Sequence, residues 1–189
     1  WVAGAFGSTG RCLVTPADAK GLRVRPSGAG FADLWRAAGA EPVSDLGSDA
    51  LPTLLGSNLI QGVDTSTSSM LSYRLYESLR CVTAPDGASL WFLYEPVLVS
   101  KKSFDKLDEP RRKALLAAGR RAEADFFATS RDIDAAMVKA FADHGVTVVT
   151  LTPAQAKAWT GLARSSSWRA FADRVPGGKD LLERLRSID

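Results

Sequence analysis

The stretch Arg11–Pro26, RCLVTPADAKGLRVRP, decides how the chain is read. It sets Arg11 and Arg25 on either side of a turn-like segment, Pro16-Ala17-Asp18-Ala19-Lys20-Gly21. Leu22-Arg23-Val24-Arg25 then alternates with period two, as a strand does, so Arg23 and Arg25 share one face. Pro26 ends the alternation, because it lacks an amide hydrogen and cannot continue a central ladder. A guanidinium offers a rigid fork of donors matched to a carboxylate and stays charged in any pocket. Solvated surface charge is the plainer reading of all three arginines.

Downstream, Phe31, Leu34, Trp35 and Ala38 recur at helical spacing, Gly39 suits the stop, and Pro42-Val43 begins a short strand. Ser48 then caps a helix with Pro52 in its first turn and Leu51, Leu54 and Leu55 on its inner side. Strand, helix, strand, helix is the rhythm of an α/β lobe with a largely parallel sheet. Ligands of such sheets bind at the carboxyl ends of strands. Arg25, at its strand's end, therefore marks where a site belongs.

The polar loop Gln61–Ser69 leads into a helix bearing Leu71, Leu75 and Leu79, and its hydroxyls either cap that helix or face a ligand. Two strand signals follow, CVTA and WFLYEPVLV, separated by Pro85-Asp86-Gly87. The second is almost wholly apolar, as in a strand buried on both faces, although Pro96 argues for a bend or an edge. Trp91, Phe92 and Tyr94 read as core, or as walls of a cleft. Asp108 caps a helix that runs to about His144, with Pro110 in its first turn and Gly145 at its stop. At 1.5 Å per residue it is roughly 50 Å long. Val146–Leu151 returns as a strand, and helices start at Pro153, Ser167 and Lys179, the last finishing at Ile188. At the other end, Trp1–Ala5 looks like the end of a strand, and Gly7-Ser8-Thr9-Gly10 a flexible turn. With Gly4 that turn makes GxxGxxG, a weak phosphate-loop signal that lacks the Lys-Ser/Thr ending.

At 189 residues and a net charge of +3 the chain holds one large domain or two small lobes. Its basic clusters, Lys101-Lys102, Arg111-Arg112-Lys113 and Arg120-Arg121, read as solvated faces, so no nucleic-acid partner is expected. No apolar run approaches the ~20 residues that span a bilayer. Cys12 and Cys81 read as two small buried hydrophobes. They flank different strands, and nothing in their spacing brings the Cβ atoms within the ~3.5–4.5 Å of a bridge, so they are expected to be unjoined. The one histidine, His144, reads as a helix C-terminal cap. Neither a metal site nor a cofactor is expected, and GxSxG, HExxH and paired-carboxylate motifs are absent.

The run Asp18-x-Lys20-Gly21-Leu22-Arg23-Val24-Arg25-Pro26, followed by Ala38-Gly39-Ala40-x-Pro42-Val43, resembles the solute receptors of TRAP transporters (tripartite ATP-independent periplasmic transporters). The resemblance continues in order through Leu55-x-x-x-x-Ile60-x-Gly62, Tyr76-Glu77, Leu98-Val99-Ser100-Lys101-Lys102, Phe104-Asp105-Lys106-Leu107 and Gly145-Val146-x-Val148. It implies an α/β fold of the two-lobed periplasmic binding protein type II-like kind, with a long lobe-spanning helix and the N-terminal part missing. The resemblance divides the chain into residues 1–20 (end of lobe I and crossing segment) and 21–95 (ligand-binding lobe II). Residues 96–151 become hinge strand, spanning helix and returning strand, and residues 152–189 C-terminal helices. It implies a periplasmic receptor that is not an enzyme and hands an organic acid to TRAP membrane subunits. The family arginine matching Arg25 pairs with the ligand's carboxylate, and the one matching Arg11 often assists it. Thr65 falls where the family has an asparagine contact, and Ile60-Gln61-Gly62 replaces the family's Val-Asp-Gly. The expected ligand-binding set is thus Arg25, Arg11, Thr65, Asp64 and Trp91. An enzyme acting on a small carboxylate held by Arg11 and Arg25 is the alternative, and self-association of the shortened chain is expected.

Overall fold

A computed structural model describes residues 1–85 and 89–187; the Asp86-Gly87 turn and the helix end at Ile188 lie outside the described residues. The strands are β1 (Val2–Ser8), β2 (Arg23–Arg25), β3 (Glu41–Pro42), β4 (Gly62–Ser66), β5 (Cys81–Thr83), β6 (Phe92–Leu93) and β7 (Thr147–Val149). The helices are α1 (Ala29–Ala37), α2 (Leu51–Gly56), α3 (Thr67–Ser72), α4 (Lys101–Asp105), α5 (Glu109–Asp143), α6 (Pro153–Ser165), α7 (Ser167–Arg174) and α8 (Gly178–Arg186). One sheet runs β3-β2-β4-β1-β5-β7, with β6 paired to β1 off that path.

β1 is the strand on which the sheet is built. It pairs antiparallel with β4, Gly4 opposite Ser66 through Ser8 opposite Gly62, and antiparallel with β5 at Gly7–Val82 and Ser8–Cys81. Every residue of it is buried. Side chains alternate across a strand, so Ala5 enters one apolar cluster with Leu55, Val63, Met70, Leu79, Met137 and Phe141. Phe6 enters the other with Val24, Leu34, Trp35 and Trp159. The strand therefore continues three residues beyond the expected Ala5, since Gly7 and Ser8 have ladder partners on both sides. Gly7 is needed for close approach: a Cβ there would come within 2.5 Å of Leu79 Cδ1.

The expected largely parallel sheet is corrected to a mixed one. β2 runs parallel to β3 and β4, and β5 parallel to β7, but β1 opposes both of its neighbours. β1 is separated in sequence from its partners β4, β5 and β6 by several intervening strands and helices, and the local strand-helix rhythm does not register pairing at that range.

The cysteines give the second correction. Cys12 and Cys81 are joined in a disulfide, with Cα atoms 5.1 Å apart. Ser8 Oγ donates to Arg11 O at 2.5 Å, turning the chain back at the end of β1. Cys81 pairs with that same end through Ser8. The two sulfurs thus meet over one strand terminus, so the pairing of β1 with β5 brings together cysteines 69 residues apart in sequence.

The apolar run 91–99 gives the third. Only Phe92–Leu93 is strand, paired with Val2 and Ala3, and the residues beyond it are not buried on both faces. Val97 is 96% exposed and Leu98 84%. The long helix is as expected: Asp108 accepts a hydrogen bond from Arg111 N at 2.9 Å, and 35 residues follow. His144 closes it with Nδ1 2.7 Å from Ala140 O and its ring stacked on Tyr76. Only the end of α5 is packed here, through Met137 and Phe141.

Candidate ligand site around Arg25

β2 is held between β3 and β4, with Arg25 opposite Val63 and Val24 opposite Gly62. Pro26 ends the ladder, so the chain leaves the sheet and, after Ser27 and Gly28, enters α1 at Ala29. Arg25 is left at the carboxyl end of its strand and is only 8% exposed. Its Nε and Nη2 donate to Leu46 O at 3.1 and 2.9 Å, and Nη2 also to Ser48 Oγ at 3.2 Å. Ser48 was expected to cap a helix, but its hydroxyl accepts from Arg25 and a short 310 turn precedes α2. The loop from β3 to α2 thereby fixes one edge of the guanidinium plane, while Nη1 donates to no described residue.

A cavity of about 440 Å³ opens beside it, lined by Arg25, Ser27, Gly28, Ala29, Asp45 and Leu46 among others. Gly28 and Ala29 are the start of α1, whose first turn has no side-chain cap. Unpaired amides there carry the positive end of the helix dipole. A buried guanidinium and an uncapped helix N-terminus on one cavity favour an anion.

Asp64 lies at the base of this arrangement. It is fully buried on β4. One carboxylate oxygen accepts from Ser27 N at 2.9 Å and from Ser27 Oγ; the other accepts from Trp35 Nε1. Burial pushes its pKa up to about 6, against the lowering effect of these hydrogen bonds and of Arg25. Both oxygens serve the turn from β2 to α1, so Asp64 sits next to the cavity as an anchor of its wall.

Of the five expected residues, the structure brings Arg25 and Asp64 together and sets the others apart. Arg11 is exposed, with Nε donating to Asp18 O (2.6 Å) and Nη2 to Lys20 O (2.8 Å), so it clasps the turn before β2. Thr65 is buried on β4 opposite Ala5, two residues beyond the register partner of Arg25. Trp91 lines a second, apolar cavity of about 330 Å³ with Phe6, Phe31 and Trp159. Gly4 permits that placement, because a Cβ there would lie 2.0 Å from the indole. In the hydroxyl loop, Ser66 caps α3 through Ser69 N at 3.2 Å, and Thr67 Oγ1 donates to Asp134 of α5 at 2.6 Å.

Sequence reasoning missed Ser27, Leu46, Asp33, Arg36 and Arg174 on the cavity wall. A backbone carbonyl such as Leu46 O leaves no sequence signal, and Arg174 arrives from the far end of the chain. Among the described residues no group of three or more His, Cys, Asp or Glu could hold a metal, and no helix is long and apolar enough to cross a membrane.

Against known proteins, residues 1–173 match the DctP profile, described as bacterial extracellular solute-binding protein, family 7. The chain belongs to this family. A solute-binding protein from Albidiferax ferrireducens is 33% identical over 186 residues, covering 96% of this chain and 54% of the relative. Among solved structures, a TRAP periplasmic solute-binding protein from Rhodoferax ferrireducens with bound malonate superposes with a TM-score of 0.90 at 30% identity. The match covers 97% of this chain and 58% of that one. One from Shewanella oneidensis with bound succinate gives 0.79 at 26% identity, covering 96% and 57%. The chain thus spans a little over half the length of these family 7 relatives. The expected fold class and TRAP kinship hold, and the family is one of solute binding, not catalysis.

Proposed function

We propose that this chain is the ligand-holding part of a periplasmic TRAP receptor that captures an organic acid by pairing its carboxylate with Arg25. The observation that carries the proposal is a nearly buried guanidinium, fixed along one edge by Leu46 O and Ser48 Oγ, on the wall of a cavity entered by the start of α1. A bidentate contact with the open edge supplies charge and orientation together. Bound malonate and bound succinate in two relatives support an acid as the ligand. A disulfide between Cys12 and Cys81 suits an oxidising compartment such as the periplasm.

Arg11 assists by holding the turn that leads into β2. Residues 21–95 form the ligand-binding lobe, residues 96–151 supply hinge strand, spanning helix and returning strand, and the ligand stabilises the closed population. Membrane subunits of the transporter receive the acid from that closed form. A thermal-shift screen of organic acids on the intact protein tests the reading, because a ligand that binds only the folded state raises the melting temperature. Stabilisation by acids, and not by their amides or alcohols, is expected. A screen in which no acid stabilises the protein, or amides do so equally, contradicts it.

A further inference from the structure

We infer that the aromatic cavity walled by β1, α1, α6 and α7 is a second ligand site, one that takes an aromatic acid: the ring enters among the aromatic side chains and the carboxylate meets Arg164 and Arg186. It stands apart from Arg25, which lines the other cavity. Phe6, Phe31, Trp91, Trp159, Trp168 and Phe171 supply its wall, and no charged side chain is among the lining residues. Apolar cavities of about 150 Å³ already hold benzene, so about 330 Å³ admits a two-ring compound.

Two indole N–H groups of this wall lack an acceptor. Trp91 Nε1 and Trp159 Nε1 are buried and unpaired among the described residues, whereas Trp35, packed edge-on against Trp159, gives its Nε1 to Asp64. The hydroxyls of the wall are already committed: Thr160 Oγ1 donates to Ala156 O at 2.9 Å and Ser167 Oγ to Ala163 O at 3.2 Å. A buried donor without a partner costs free energy that a suitable occupant recovers. The face of an aromatic ring accepts an N–H, and an aliphatic chain does not.

The charge comes from the rim. Arg164 follows Thr160 by one turn of α6, and Arg186 follows Leu182 by one turn of α8; Thr160 and Leu182 both line the cavity. Both guanidiniums lie over the ring of Trp168, 5.5 and 5.4 Å from its centroid. Neither forms an ion pair or a hydrogen bond with a described residue. Two like charges gathered on one ring repel each other, and a carboxylate beside that ring relieves the repulsion while accepting from both forks.

Indole-3-acetate and indole-3-acetamide share a shape and differ in charge, so calorimetric titration of the intact protein with each tests the site. The wild type is expected to bind the acid at least tenfold more tightly than the amide. In Arg164→Gln/Arg186→Gln, whose changes lie on exposed side chains, the acid should fall to the level of the amide, with amide binding unchanged. Ala163→Leu narrows the cavity and should weaken acid and amide alike, with the melting temperature kept or raised. A wild type that binds neither compound, or a double variant that keeps the full preference for the acid, overturns the inference. Loss of indole-3-acetate binding in Arg25→Ala, with the double variant behaving as wild type, would place the acid at Arg25 instead; that result overturns the aromatic site and leaves the reading of Arg25 standing.

Discussion

Asp64 accepts hydrogen bonds from both the amide and the hydroxyl of Ser27, so a buried carboxylate on β4 fastens the turn that carries the chain from Arg25 into α1. The carboxylate is out of water, and burial raises its pKa from 3.8 to about 6. A folded-state pKa above the unfolded one means that the native state binds the proton more tightly. The Asp64 contribution to stability is then greatest below pH 3.8 and falls as pH rises towards 6, by roughly 3 kcal/mol in all. Asp64→Asn cannot titrate. Denaturant unfolding at several values between pH 4 and 7 should show a shallower fall with rising pH in the variant than in the wild type; parallel profiles would contradict this account.

Closing a loop between residues 12 and 81 restricts the unfolded chain, so the Cys12–Cys81 bond should contribute about 4 kcal/mol. Reductant, or Cys81→Ser with Cys12→Ser, is expected to lower the midpoint of unfolding by that order. Mass spectrometry without reductant should find the protein two hydrogens lighter than its sequence mass. A mass equal to that of the dithiol would remove the bond.

Trp1, Phe92, Tyr94, Val97, Leu98 and Val99 leave apolar side chains exposed around the start of β1 and along and beyond β6. Contiguous apolar surface and open strand edges favour association. This chain alone should therefore sediment as more than a monomer at micromolar concentration. Val97→Lys with Leu98→Glu should restore the monomer. A wild-type chain that stays monomeric at those concentrations would count against it.

Much of this architecture was legible in the sequence because its signals are local. Asp108, Pro110 and Gly145 bound α5 through capping chemistry, and Pro153 in the first turn marks the start of α6. Arg25 was legible as the candidate anchor because Pro26 ends its strand, and strand ends are where such sheets bind. What was not legible is long-range. The pairing of β1 with β5 brings Cys81 to Cys12, and no periodicity within either segment encodes it. Hydrophobicity alone suggested a doubly buried strand at 91–99, yet burial depends on neighbours that this chain does not supply there. Asp64 was named as a ligand contact, and only its three donors reveal it as an anchor.

The central claim is that the Arg25 guanidinium carries carboxylate binding, and calorimetric titration of Arg25→Ala and Arg25→Lys with the best acid from the screen tests it most directly. Ala leaves the ligand's carboxylate without its partner in a closed site, so a loss of roughly 2–5 kcal/mol is expected. Lys keeps the charge but loses the fork held by Leu46 O and Ser48 Oγ, so it should bind more weakly than wild type. Arg11→Ala should cost less, and Arg23→Ala, whose guanidinium donates to Asn58 O away from the cavity, least. That order, with circular dichroism unchanged, is the result predicted; wild-type affinity in a folded Arg25→Ala protein would contradict it.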